Sequence, residues 1–452
     1  MKKVKIVATI GPASDSPKML RDLVKAGMNC VRLNTAYRDN KYYSSIIQRV
    51  RQFSEIPIML DIKGTDIRFK TDQDLTLKRG DTLRVGFRKG KAYFNKHFYN
   101  DLHIGDIIFF KGGLYKSKVT HKAHHSITLQ FLTSAKLLNG TGVNVLKDLT
   151  LKPLLSKKDK EVLKLAKKQN VEYIALSFTK SKHDILEVKR HLNDDSIGII
   201  AKIESGQGVR NVSEILDVAD GIMVARGDLG VETPKERIPL LQKQLIKEAN
   251  QRGKIVITAT EMLQSMVEQP IPTRAETTDV ANAILDGTDS IMLSAETALG
   301  KYPILAVKEM SSIAKETEPY VKSKVKISDD EISEVITNSV SHFCSILDMS
   351  KIITITRSGF TARMISRFKN NEEIIAITRD NKSKRKMELI YGVTPIHFKK
   401  MPRTDQVVAC AKFCHKKGLL RKQDTVLFTA GTITKKHGTN TITIIKIKDV
   451  IK

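Results

Sequence analysis

Eight times along this chain a short apolar run gives way to an amphipathic stretch, and that rhythm restricts the fold more than any other feature. The apolar runs are 5–10, 30–34, 57–61, 172–177, 199–203, 221–225, 254–258 and 290–293. Each has strand length and is nearly continuous in Ile, Val, Leu, Met and Ala, as a strand buried on both faces must be. Helical periodicity fills most of the intervals. Residues 16–25 carry Met19, Leu20, Leu23 and Val24 on one face, and 158–167 follow the N-cap residue Ser156 and present Val162, Leu163 and Leu165. The segments 183–191 and 240–250 read the same way. All-parallel strand–helix units repeated eight times predict a (β/α)8 TIM barrel.

The interval between the third and fourth strands is too long for one helix. Residues 69–147 are rich in Thr, Phe, Lys and Gly and read as short alternating strands; 74–85 has the pattern of a hairpin. The expectation is a small inserted β-barrel-like lid domain over the carboxyl face of the barrel, where loops carry active sites. The barrel then comprises 1–68 and 148–325, with a charged linker over 321–330. Residues 331–452 alternate again, with strands over 351–355, 373–378, 394–398, 425–428 and 441–448, and helices over 332–347 and 407–416. They predict a separate three-layer α/β domain. Between its first strand and the next helix stand Thr356, Arg357, Ser358, Gly359 and Thr361, a turn suited to a phosphate of an effector.

Composition narrows the function classes. At 452 residues with 41% hydrophobic residues the chain can bury several cores, yet no apolar run nears the ~18 residues of a membrane span. The opening residues are basic, then apolar, and alternate like a strand rather than a signal peptide. Cys30, Cys344, Cys410 and Cys414 have no metal spacing, which fits a cytoplasmic protein; Cys410 and Cys414 read as packing residues on one helical face. The net charge of +28 favours polyanions, but the basic residues are spread along the length, Trp is absent and no stacking motif for RNA is present. Nucleic acid is therefore not the expected partner.

Charges gather where the apolar strands end. The second strand ends in Arg32 and Asn34, the third in Asp61, Lys63 and Arg68, the fifth in Lys202 and Glu204. The sixth ends in Arg226, Gly227 and Asp228, the seventh in Thr258, Thr260 and Glu261, the eighth in Ser294 and Glu296. A charge at the end of a buried strand is costly without a partner. Glu204 and Asp228 are hard oxygen ligands for Mg²⁺ or Mn²⁺. Arg32 and Lys202 suit a phosphoryl group. Amides at Gly227 and Asp228 can hold a carboxylate if a helix starts there, and the Thr260 hydroxyl can serve a proton relay. The plain alternatives are rim charges for Arg32, Lys63 and Arg68, salt bridges of Glu204 and Asp228 with Lys202 and Arg226, and a helix cap for Thr260.

Several stretches resemble the pyruvate kinase family. They are Lys5-Ile-Val-Ala-Thr-Ile-Gly-Pro-Ala-Ser14, Lys202-Ile-Glu204, Asp220-Gly-Ile-Met-Val-Ala-Arg-Gly-Asp-Leu-Gly230, Pro272-Thr-Arg-Ala-Glu276, Asp279-Val-Ala-Asn-Ala283, Ile291-Met-Leu-Ser294 and Glu296-Thr-Ala298. The resemblance implies transfer of the phosphoryl group of phosphoenolpyruvate to ADP, giving pyruvate and ATP. It implies that Glu204 and Asp228 hold the divalent metal, that Lys202 stabilises the transferring group and the enolate, and that Arg32 holds the phosphate. Thr260 would lie near the carbon that is protonated, and Ala225, Arg226 and Gly227 would shape the carboxylate pocket. Asn34, Asp61 and Ile62, through its carbonyl, would line a K⁺ site, with Asn34 and Arg68 toward the nucleotide. The family is usually a homotetramer with a phosphorylated effector.

The sequence departs from the family pattern around Asn34. The usual serine is Ala36, the usual histidine Tyr37, the usual Pro-Glu is Thr65-Asp66, and Glu261 stands where Gln is common. Losing an oxygen ligand predicts reduced or absent K⁺ dependence. Two other readings share parts of this pattern: a metal-dependent barrel lyase or aldolase acting on a pyruvate enolate, and a non-catalytic relative that binds RNA.

Overall fold

Every apolar run of the alternation forms a strand in the computed structural model, which describes residues 2–149, 151, 153–323, 325, 331–402, 404–431 and 439–451. The barrel strands are Lys5–Thr9, Cys30–Asn34, Ile58–Ile62, Tyr173–Leu176, Gly198–Ile203, Gly221–Ala225, Ile255–Ala259 and Ser290–Leu293. Each pairs in parallel with its neighbour and the eighth closes on the first. Alternate residues face opposite sides. Val31, Leu33, Leu60, Ile62, Ala201 and Ile203 pack outward under the helices. Val7, Cys30, Met59, Ala175, Ile200, Met223, Ile257 and Met292 fill the interior. Gly221 starts its strand because a Cβ there would lie 2.4 Å from the Ile255 carbonyl oxygen.

Capping residues fix where the helices start. Ser16 accepts the Met19 N–H ahead of Pro17–Ala26, and Ser156 forms a capping box with Asp159 ahead of Lys157–Lys168. The helix Arg274–Leu285 is capped by Thr273 and Glu276 in the same way. Two residues of one family-like stretch therefore act as a helix start. Glu276 also accepts the N–H and hydroxyl of Ser265.

The insert forms a second closed barrel of seven strands, between Ile67–Thr71 and Gly142–Val145. Its core is aromatic, with Phe69, Phe87, Phe94, Phe98, Phe110 and Phe131 buried together. The expected hairpin over 74–85 does not form. Leu75–Leu77 pairs with Ala135–Leu137 outside the small barrel, and Thr82–Gly86 pairs with Ser126–Phe131 and Ala92–Phe94. The turn at Gly80 and Asp81 exists, but long-range partners capture both of its arms. Asn95 pins the entry to the insert by backbone and side-chain bonds to Asp66 and Arg68. The Lys96 amine donates to the Pro153 carbonyl at 2.8 Å, tying the exit. The insert lies over the carboxyl ends of the barrel strands, where Asn144 meets Glu232 and Gly113 packs near Val231.

The C-terminal residues form a five-stranded sheet between two helical layers, in the order Val393–His397, Glu373–Thr378, Lys351–Ile355, Thr425–Ala430, Thr441–Lys446. The last strand is antiparallel and ends two residues earlier than expected, because Ile447–Val450 turns into a short helix. Cys410 and Cys414 are buried beneath that sheet, and burial pushes both thiols up to about 12, so they pack rather than react. The opposite layer packs on the amino-terminal end of the barrel, in one apolar cluster with the barrel interior. Within the charged 321–330 segment, 324 and 326–330 lie outside the described residues.

Candidate active site

The period of two that buries Cys30, Met59, Ala175 and Ile200 turns the next inward residues, Arg32, Asp61, Ser177 and Lys202, to the carboxyl end of the barrel interior. The Lys202 amine donates to Ser177 Oγ at 2.7 Å, and lies 3.0 Å from Glu204 Oε1 and 3.3 Å from Asp61 Oδ2. Arg32 reaches Asp61 Oδ2 through Nε at 2.8 Å and Nη2 at 2.7 Å, and donates from Nη1 to Thr9 Oγ1 at 2.8 Å. Ser177 donates to Asp61 Oδ1 at 3.1 Å. Glu204 Oε2 accepts the Phe178 N–H at 2.6 Å.

These groups set one another's charge. Burial acts to raise Asp61, but Lys202 and Arg32 outweigh it and hold the carboxyl below its usual range. Burial acts to lower Lys202, but Asp61 and Glu204 outweigh it and keep the ammonium charged. Glu204 is pushed up to about 7, first by burial, against the pull of Lys202, with Asp228 and Asp61 adding repulsion. A carboxyl in that position gains most from a cation.

A cleft of about 460 Å³ opens from this cluster between the barrel and the insert. Arg32, Asn34, Asp61, Lys202, Glu204 and Asp228 line its floor. Lys63, Arg68, Lys111 and Lys136 make a basic wall, and Tyr37 stands at the mouth, 80% exposed. Arg68 is oriented by Asp66 at 2.6 Å and by the Gly140 carbonyl at 3.2 Å. Among the described residues no protein hydrogen bond or ion pair engages the Asp228 carboxylate. Among the described residues no group of three or more His, Cys, Asp or Glu is placed to hold a metal ion, so a divalent ion would rest on two carboxylates. That fits Mg²⁺, which keeps several waters and completes its shell from substrate oxygens.

Other expected residues sit apart from the cleft lining. Arg226 turns away, giving Nη1 to Asp279 at 2.7 Å and Nη2 to the carbonyls of Thr260 and Glu261 at 2.7 and 3.1 Å. It anchors the turn in which Thr260 and Glu261 both take positive φ, 69° and 52°. Thr260 Oγ1 accepts the Gly227 N–H at 2.8 Å, which joins the sixth and seventh strand ends. The helix Arg226–Glu232 begins directly after Ala225. Ile62 faces outward and is fully buried, with its carbonyl accepting the Ser177 N–H. Thr258 also faces outward and bonds Thr288; Glu296 accepts the N–H groups of Leu263 and Ser294.

In the C-terminal domain, Thr356 Oγ1 accepts the Gly359 N–H at 3.0 Å, and Arg357 and Ser358 are exposed. Gly359 has φ 83°, and a Cβ there would meet Met387 at 2.7 Å. Thr361 Oγ1 lies 2.5 Å from Thr439 Oγ1.

Comparison with known proteins supplies the family. The family model "Pyruvate kinase, barrel domain" matches residues 1–307, and "Pyruvate kinase, alpha/beta domain" matches 334–445. A pyruvate kinase of Bacillus licheniformis is 39% identical over 476 residues, spanning 100% of this chain and 81% of the relative. Pyruvate kinases of Staphylococcus aureus strains USA300 and COL are 37% identical, spanning 97% of this chain and 79% of theirs.

The chain belongs to the pyruvate kinase family. It is accordingly a phosphotransferase with the architecture of that family, a (β/α)8 barrel carrying a small barrel and an α/β domain. The pyruvate kinase signature also accounts for much that is not chemistry: Thr273, Glu276 and Asp279 cap, brace and pair rather than line the cleft. Ser177 and Thr9, by contrast, touch the charged cluster and are not among the expected site residues, although the inward alternation of their strands points to them.

Proposed function

We propose that the cleft transfers the phosphoryl group of phosphoenolpyruvate to ADP, with Arg32 and Lys202 on the transferring group. The bond from the enol oxygen to phosphorus breaks, a bond to the terminal oxygen of ADP forms, and the enolate takes a proton on its methylene carbon to give pyruvate. The supporting observation is the buried Lys202 amine, held charged between Asp61, Glu204 and Ser177 at the floor of a cleft with a basic wall. Preorganised positive charge of that kind stabilises the transferring group and the enolate as they form.

Glu204 and Asp228 would hold Mg²⁺ or Mn²⁺, which supplies neutralisation of phosphoryl charge when bound. Arg68, with Lys63 and Asn34 beside it, would receive the nucleotide phosphates. Ala225, Gly227 and the Arg226-anchored turn would bound the substrate carboxylate, and Thr260 would stand near the carbon that is protonated. The K⁺ site is weakened. Ala36 has no hydroxyl, the Asn34 amide oxygen already accepts the Ala36 N–H, and Asp61 is engaged by Arg32, Lys202 and Ser177. The exchange occurs with little need for K⁺.

Residues 356–361 would form an effector site for a phosphorylated metabolite. The exposed Ile332 and Ile346 and the edge strand Thr441–Lys446 suit a subunit contact in a homotetramer. The domain limits are 1–68 with 148–325, 69–147, and 331–452, and the cellular setting is cytoplasmic. The test is pyruvate formation from phosphoenolpyruvate and ADP with Mg²⁺, titrated with KCl. Mg²⁺-dependent product with little response to KCl is the expected result; folded protein that forms no pyruvate would reject the reading.

A further inference from the structure

The seam between the barrel's amino-terminal end and the C-terminal domain carries a cluster that the phosphoryl chemistry does not use. Arg363 lies on the helix Phe360–Ser366 and Arg367 caps its end, one turn apart, so their charges repel. Arg367 is 2% exposed. It gives Nη1 to the Gln251 carbonyl at 2.8 Å and to Glu334 at 3.3 Å. Its Nε and Nη2, and the Nε of Arg363, are buried and donate to no protein acceptor among the described residues. They border a cavity of about 10 Å³ whose lining also includes Lys254, Asn250 and Asp289.

Apart from Glu334, which meets Arg367, the carboxylates nearby have closer partners. Asp289 accepts Lys369 at 2.7 Å and the Val256 N–H at 3.0 Å. Asp220 accepts the Ile199 N–H at 2.9 Å and faces Lys386 at 3.9 Å. Lys254 donates to a neutral partner, the Ala219 carbonyl, at 2.8 Å, and Arg363 forms no ion pair within 4 Å among the described residues. Burial lowers Lys254 against the pull of Asp220, with Arg363 adding repulsion. Guanidinium groups only donate, and the Asn250 side-chain NH2 donates to the Gly287 carbonyl. A species that only accepts, and carries negative charge, satisfies both shortfalls.

We infer that this seam binds one monatomic anion of the halide class, between Arg363 and Arg367, and that the anion joins the C-terminal domain to the barrel. The room is that of a single small occupant, which excludes a phosphate ester. The inference is independent of the reaction proposed above.

The test is a crystal grown with bromide in place of chloride, combined with thermal unfolding of the full chain in chloride and in gluconate at equal ionic strength. A bromide anomalous peak within hydrogen-bond reach of Arg367 Nη2 is expected, with a melting temperature about 2 °C higher in chloride. R363Q should abolish the chloride shift; should R363Q fail to fold, K254M should reduce it. Water alone in the cavity, bromide only at the molecular surface as an adventitious ion only, or equal melting in both salts would overturn the inference.

Discussion

Both ends of the barrel bury charge, and they do so to opposite effect. At the amino-terminal end Glu172 is met by Arg385 at 2.5 Å, by Arg51 at 2.6 Å and by the Ile58 N–H at 2.8 Å, so its oxygens are fully taken. Lys5, also buried, gives its amine to the Val393 carbonyl at 2.7 Å. These contacts fasten one domain to another. At the carboxyl end Lys202 faces two carboxylates and a hydroxyl, Asp228 is unengaged, and a cleft opens above them. The first arrangement is closed among protein groups, and the second opens onto a cleft. Buried charge therefore marks a functional site here only where the pairing is incomplete.

The contrast can be broken by substitution at either end. Asp228→Asn should lower kcat by about 100-fold or more, and should remove the Mg²⁺-induced rise in melting temperature, measured by thermal shift. Glu172→Gln leaves Arg385 buried beside an uncharged partner, and an arginine cannot relieve that by losing its proton. A loss of about 3 kcal/mol in unfolding free energy is expected by denaturant titration, with kcat at saturating substrate nearly unchanged.

Glu204 sharpens the contrast through pH. Its carboxyl is pushed up from 4.5 to about 7, so between those values the folded chain holds a proton that the unfolded chain has lost. The metal-free protein should lose stability as pH rises through that window. A divalent ion needs the carboxylate, so its affinity should rise about tenfold between about pH 6 and about pH 8, read by calorimetry with release of a proton. The smallest effect concerns Ala36→Ser, which restores an oxygen near Asn34. Activation by KCl should grow by about threefold over the parent chain, a change worth about 0.7 kcal/mol.

Much of this was legible in the sequence, for physical reasons. The barrel strands announce themselves because burial on both faces demands uninterrupted apolar residues, and the strand-end charges stand out against that background. Arg32, Asp61, Lys202, Glu204 and Asp228 were found in this way and share one cleft. The same signal could not tell which way a strand-end charge turns. Arg226 looks like Lys202 in sequence, yet it pairs with Asp279, 53 positions away, and braces the Thr260 turn directly. Ser177 and Thr9 were not legible as site residues, since a lone hydroxyl at a strand end fits a turn equally well. The 74–85 hairpin misled because local alternation does not reveal long-range partners.

The most direct test sets Lys202→Met beside Glu172→Gln and records kcat for pyruvate formation and melting temperature for both. Without Lys202, Glu204 can take a proton and Asp61 keeps Arg32, so the account predicts a kcat about 1,000-fold lower and the smaller loss of melting temperature. Glu172→Gln should show the larger loss of melting temperature with kcat retained. The reverse pattern, with activity surviving in Lys202→Met or lost in folded Glu172→Gln, would contradict the division of the barrel into a structural end and a chemical end.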